Sequence, residues 1–327
     1  MGRPLLEIRD LRTHFFTRWG VVKAVDGVSF ALSEGETLGI VGESGCGKSV
    51  TALSILRLVP RPAGRIIGGA ILLEGEDLLK KSEREMRKIR GSRISMILQD
   101  PMSSLNPVFS VGEQIAEALR IHQGLEGNRL WEHAKEMLRR VKIPSPELRL
   151  QAYPHQLSGG MRQRVVGAIM LACQPAILIA DEPTTSLDVT IQAQYLRLLK
   201  GLQAEMGLAL IFITHDFGIV AKMCDRVAVM YAGRIVETAG VRELFNSPRH
   251  PYTVALLNSV PRLEGGVAQL ASIEGQPPPL YDLPPGCPFA PRCAHARDVC
   301  RRDYPPEVTV TEDHRASCWK VLERWDG

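Results

Sequence analysis

No uninterrupted run of about 20 apolar residues, the length a bilayer-spanning helix needs, occurs in this 327-residue sequence. The longest apolar stretch, 165–180, is broken by Gln174 and Pro175, so no membrane span is expected. The opening residues Met1-Gly2-Arg3-Pro4-Leu5-Leu6 have no apolar segment of the kind a secretory signal carries. A thiol-reducing compartment is the expectation that follows, and it makes disulfides a poor use for cysteine. An excess of one charge is also missing. Forty Lys and Arg against 36 Asp and Glu leave +4, too even a balance to suggest nucleic acid. No internal repeat is seen. With 45% hydrophobic and 23% charged residues, the composition excludes a disordered, collagen-like or coiled-coil chain.

Cysteine and proline are scarce in the body and crowded at the end. Four of the seven cysteines (Cys287, Cys293, Cys300, Cys318) lie in the last 41 residues, and nine of the 22 prolines lie between Pro277 and Pro306. Before that tail, strand and helix patterns alternate, which indicates an α/β fold with a mostly parallel core sheet. Strands are expected at 6–8 and 21–30, with Asp26-Gly27 as a turn, then at 36–41, 94–98, 176–180 and 208–213. Helical periodicity is expected over 48–58 and over 111–143. Residues 80–93 carry seven positive and two negative charges, a net +5 that exceeds the charge of the whole chain. They read as a solvated helix face, or as a weak attraction to anionic lipid headgroups.

Gly42-Glu43-Ser44-Gly45-Cys46-Gly47-Lys48-Ser49 fits G-x-x-x-x-G-K-[ST], after a strand and at the opening of a helix that Val50 continues. Glycines let successive backbone N–H groups turn toward one anion, and the helix N-terminus adds partial positive charge. Lys48 is then expected to reach the β- and γ-phosphates of a nucleotide and Ser49 to ligate Mg²⁺. A second apolar strand, 176–180, ends in Asp181-Glu182. This pairing suits an acid that holds Mg²⁺ beside one that deprotonates an attacking water.

Leu157-Ser158-Gly159-Gly160-Met161-Arg162-Gln163-Arg164 resembles the signature sequence of the ABC ATPase family. The family's other elements follow in order: Gln99 as the Q-loop glutamine, Asp181-Glu182 at the Walker B end, Ser186-Leu187-Asp188 as the D-loop and His215 as the switch histidine. The resemblance implies a P-loop ABC ATPase with an antiparallel β subdomain and a helical subdomain at about 105–165. It also implies that Leu157, Ser158, Gly159, Gly160 and Gln163 face ATP on a second subunit. Glu182, His215 and Gln99 would be catalytic, Ser49, Gln99 and Asp181 would hold Mg²⁺, and Phe15 (or Phe16) would stack on adenine.

Gln99-Asp100-Pro101-Met102-Ser103-Ser104-Leu105-Asn106-Pro107, Arg249-His250-Pro251-Tyr252-Thr253 and the tail 285–293 narrow the resemblance to the ATP-binding subunits of oligopeptide/dipeptide importers, a group that includes nickel and glutathione transporters. On that reading residues 1–262 are the cassette and 263–327 a Pro/Cys-rich extension. Implied partners are a second ABC ATPase (itself or a paralogue), two membrane permease subunits and, indirectly, an extracytoplasmic binding protein. No nucleic acid is implied. The chain would sit peripherally on the cytoplasmic face of the cell membrane. A DNA-repair ABC ATPase is the rival reading, but such chains insert long modules where only 110 residues separate Lys48 from Ser158. The spacing C-x5-C-x6-C-x17-C lacks the C-x2–4-C pairs usual for zinc. The resemblance implies a [4Fe–4S] cluster on Cys287, Cys293, Cys300 and Cys318; zinc or unligated thiols are the alternatives. Cys173 and Cys224 read as buried filler.

Overall fold

The structure is a computed structural model that describes residues 3–185, 187–259 and 273–325. By contacts the chain forms two compact units, one of residues 1–32, 38–79 and 213–327, the other of residues 33–37 and 80–212.

The first unit opens with β1 (Leu6–Thr17), β2 (Gly20–Leu32), β3 (Thr37–Val41), α1 (Lys48–Ile55), β4 (Gly64–Leu73) and β5 (Glu76–Asp77). Strands β2, β1, β4 and β5, in that order, form an antiparallel sheet. One face buries Leu6, Ile8, Leu11, Val25, Val28 and Leu32. The expected turn at Asp26-Gly27 is corrected here. Strand β2 runs through it, and the chain reverses at Arg18-Trp19. Gly27, at φ +88°, is the extra residue of a β-bulge, since Leu11 pairs with Val28 and Arg12 with Asp26. Asp26 is buried rather than turned to solvent, and Arg234 donates to it at 2.7 Å.

The second unit holds α2 (Glu83–Ile89), β6 (Ile94–Ile97), α3 (Val111–Gln123), α4 (Gly127–Arg140), α5 (Pro146–Arg149), α6 (Gly159–Leu171), β7 (Ile177–Asp181), α7 (Val189–Met206) and β8 (Ala209–Ile213). Strands β6 and β7 pair in parallel, and β7, fully buried, is the apolar run read from the sequence. The helical stretch expected over 111–143 divides, because Gly124 takes φ +64° and ends α3. Ser110 and Glu113 cap α3, and Ser82 and Glu85 cap α2, each by a reciprocal capping box. The +5 segment thus contains one capped helix whose buried residues are Met86 and Ile89.

The first unit resumes with α8 (Phe217–Met223), β9 (Arg226–Tyr231), β10 (Arg234–Gly240), α9 (Val241–Asn246), α10 (Pro251–Asn258), α11 (Asp298–Arg302), β11 (Val308–Thr311), β12 (His314–Ala316) and α12 (Trp319–Leu322). Strand β3 pairs in parallel with β9, β9 and β10 form a hairpin, and β12 adds to β10 with β11 outside it. The tail therefore extends a sheet of this unit. No helix among the described residues is long and apolar enough to cross a membrane.

Candidate nucleotide and cysteine sites

The phosphate loop lies between β3 and α1, and its glycines are needed where they stand. Gly42 has φ +154° and Gly47 has φ +110°. A Cβ would come within 2.2 Å of the Met230 carbonyl oxygen at Gly42 and within 2.1 Å of the Ala24 carbonyl oxygen at Gly47. Gly45, at φ +78°, faces open space. Ser44 is exposed, and Ser49 and Val50 are half-buried in the first turn of α1. Lys48 is buried, and its Nζ donates to the Gly42 carbonyl at 2.8 Å and the Glu43 carbonyl at 2.9 Å. The ammonium is thus folded back over the loop that would take the phosphates. Cys46 is buried, with burial pushing its thiol pKa up, as suits a neutral filler.

On the same unit, His215 follows β8 and is exposed. The next residue, Asp216, caps α8 by accepting from the N–H groups of Gly218 (2.7 Å) and Ile219 (3.2 Å). Phe15 is half-buried in β1 opposite Val22 and Gly64. Phe16 is exposed, with the Arg65 guanidinium 5.3 Å from its ring centroid.

The second unit carries the remaining elements. Gln99 is exposed two residues past the end of β6. Asp181 ends β7 and is buried, while Glu182 beside it takes φ +46°. Thr185 Oγ1 donates to the Glu182 carboxylate at 3.1 Å. Ser158 is the N-cap of α6, its Oγ accepting from the Met161 N–H at 3.4 Å; Leu157 before it is buried. Gly159 and Gly160 form the first turn. A Cβ on Gly160 would stand 2.8 Å from Ile191 of α7, so this glycine allows two helices to approach. Gln163 is buried and donates to the Pro183 carbonyl, which ties the signature helix to the loop after β7. Asp188 is the N-cap of α7. Ser186 lies outside the described residues.

In the tail, Cys287, Cys293, Cys300 and Cys318 line one pocket, together with Phe289, Trp319 and others. None is in a disulfide. Burial above all, with the other three cysteines adding to it, pushes the Cys287 thiol up to about 12. Burial also raises Cys293 and Cys318. As placed, the described residues hold no group of three or more His, Cys, Asp or Glu side chains able to take a metal ion. Cys224 is buried, but Cys173 is only half so.

Sequence reasoning missed how the tail meets the phosphate loop. Arg292 Nη1 and Nη2 donate to the two Glu43 carboxylate oxygens at 2.7 and 3.0 Å. Tyr252 OH accepts from the Glu43 N–H at 2.9 Å. Tyr231, Tyr252 and Phe289 pack as an aromatic cluster beneath, with ring centroids 4.5–5.4 Å apart. A second node joins β10 to β12. The buried His314 Nε2 lies 2.7 Å from Glu237 Oε1, and His314 Nδ1 lies 3.1 Å from Glu243. Glu237 also accepts the N–H groups of Arg249 (2.6 Å) and His250 (2.9 Å). Nothing in the tail's own pattern signals a partner at residue 43 or 237.

Residues 25–185 match the family described as ABC transporter, and residues 236–300 match the oligopeptide/dipeptide transporter C-terminal region. The chain is 56% identical over 320 residues to the "Probable peptide ABC transporter ATP-binding protein y4tR" of Sinorhizobium fredii (98% of this chain, 96% of that one). It is 51% identical, with the same coverage of both chains, to the dipeptide transport ATP-binding protein DppD of Bacillus subtilis. Among solved structures, the dimeric post-hydrolysis ATP-binding cassette MJ0796, bound to ADP and Pi, superposes with a TM-score of 0.64 at 26% identity. That match covers 72% of this chain and 99% of the other.

Proposed function

The chain belongs to the ABC transporter ATP-binding proteins of the oligopeptide/dipeptide class, and from that premise we propose that it binds and hydrolyses ATP to energise uptake of di- or oligopeptides through separate permease subunits. The observation that carries this reading is the phosphate loop, whose positive-φ glycines and folded-back Lys48 leave backbone N–H groups and one cation for a triphosphate. Lys48 takes the β- and γ-phosphates. Ser49, with Asp181 and Gln99, takes Mg²⁺, which offsets phosphate charge. Glu182 accepts the proton of the attacking water, and His215 orients the γ-phosphate. Phe15 stacks on adenine. The signature residues from Leu157 to Gln163, with the D-loop residues Ser186 and Asp188, serve the ATP of a second ABC ATPase subunit.

Residues 1–262 form the cassette and 263–327 the extension. The working assembly pairs two such ATPases, alike or paralogous, with two permease subunits on the cytoplasmic face of the membrane. A binding protein delivers peptide on the far side.

The tail cysteines are read as ligands of a [4Fe–4S] cluster. Four thiols lining one pocket, which His250 and His295 also line, support this. Burial disfavours free thiolates there, and the positive charge of bound metal would offset that cost. When bound, the cluster would contribute folding energy to a proline-rich segment.

Replacing the base tests the hydrolytic reading. Glu182→Gln is expected to bind ATP as the parent does and to lose turnover by at least about 10²-fold, the scale of general-base catalysis. Turnover near the parental rate would remove Glu182 from that role.

A further inference from the structure

Glu43 occupies a variable position of the phosphate loop, yet every polar group it has is engaged. Its carbonyl accepts from Lys48 Nζ at 2.9 Å. Its N–H donates to Tyr252 OH at 2.9 Å. Its carboxylate receives the Arg292 fork at 2.7 and 3.0 Å. Arg292 is itself held on all sides. Its side chain is only 4% exposed, Nε donates to the Glu274 carbonyl at 3.0 Å, Nη2 to the Ile273 carbonyl at 3.3 Å, and Nη1 to Tyr231 OH at 3.3 Å. A bidentate guanidinium–carboxylate pair fixes direction as well as distance. It also neutralises a carboxylate in the loop that has to receive a triphosphate. An unmatched Glu43 anion there would repel the ligand, while Lys48 is the loop's own cation.

We propose that Arg292 and Tyr252 are positioning residues for ATP binding: the cysteine-bearing segment and α10 together hold Glu43, and so set the phosphate loop for its nucleotide. Arg292 acts through Glu43, by matching its charge and aiming its side chain away from the phosphates. Tyr252 acts on the Glu43 backbone. The extension is thereby a working part of the nucleotide site. The inference rests on reading residues 42–49 as an ATP site.

The test uses the purified full chain and a fluorescent ATP analogue, with steady-state ATPase kinetics alongside. Arg292→Ala is expected to weaken binding about tenfold, the scale of one charge-assisted pair, and to raise KM with kcat little changed. Adding Glu43→Gln to Arg292→Ala is expected to restore most of the lost affinity, because the unmatched charge is removed; loss of packing alone would not be rescued. Tyr252→Phe keeps the ring in its aromatic cluster and is expected to weaken binding about threefold, within the range of a single hydrogen bond. If Arg292→Ala does not fold, Tyr252→Phe decides. Binding within twofold of the parent in the folded variants overturns the inference, as does a double variant no better than Arg292→Ala. Lys48→Ala keeps the two readings apart. If it loses ATP while Arg292→Ala does not, only the positioning role fails; if it binds ATP like the parent, the ATP site itself fails.

Discussion

The phosphate loop and the cysteine tail belong to the same compact unit, but they are specified in opposite ways. The loop's turns are set by residues within it, because Gly42 and Gly47 adopt backbone angles that a side chain would forbid, and the carbonyls of Met230 and Ala24 only close the space around them. The tail has little of its own to fold around. It is fixed by partners far off in sequence: Glu43 for Arg292, Glu237 and Glu243 for His314, and β10 for β12. Local constraint makes a motif that is recognisable anywhere. Remote constraint makes a segment that has meaning only in the company of the rest of its chain.

The sharpest way to break the contrast is at Gly47. Gly47→Ala places a Cβ 2.1 Å from the Ala24 carbonyl oxygen, at a φ that alanine rarely adopts. We expect near-complete loss of ATP binding with the tail still folded, as read by nucleotide titration and by resistance of the C-terminal segment to limited proteolysis. A variant that still binds ATP would show the loop to be more tolerant than its geometry says.

The remote half is tested at His314. His314→Ala removes one partner from a fully buried Glu237 and is expected to cost about 3 kcal/mol. The melting temperature should fall by several degrees and the tail should become the first site of proteolysis. An unchanged melting curve would mean that the tail is held by something other than this node.

A smaller effect comes with pH. Burial pushes His250 down to about 3, from an ordinary value of 6.5. Its ring Nδ1 accepts from the Tyr252 N–H at 3.0 Å, so the folded state needs it neutral there. The unfolded chain takes up this proton below its ordinary value and the folded chain does not until about pH 3. Stability from this group is therefore complete above pH 6.5 and declines as the pH falls toward 3, by about 1.4 kcal/mol per unit. Near pH 5 the loss is about 2 kcal/mol, and His250→Asn should flatten the dependence of the melting temperature between pH 7 and 5. An equally steep dependence in the variant would assign the acid sensitivity elsewhere.

The same contrast governs what could be read in advance. The phosphate loop, the cap Ser158 and the buried strand β7 were legible because each is a short pattern with a local cause. Asp26-Gly27 misled for a related reason. A glycine at positive φ serves a turn or a bulge equally well, and only the pairing of β1 with β2 distinguishes them. The break at Gly124 was hidden inside a continuous helical periodicity. Arg292 and His314 were beyond reach because nothing in the tail's own pattern points to residues 43 or 237. The four cysteines stood out by their crowding into the last 41 residues, and the structure gathers them around one pocket, yet that crowding said nothing of the sheet that β11 and β12 extend.

The pair between Arg292 and Glu43 also has a consequence for synthesis. The two residues are 249 positions apart, and at about 5–20 residues per second Glu43 leaves the ribosome roughly 10–50 s before its partner is made. Throughout that interval the nascent chain carries a phosphate loop with complete sequence and an unmatched carboxylate. Arg292 is thus translated long after the phosphate loop that it completes, and a chain released before Arg292 would display that motif without its brace.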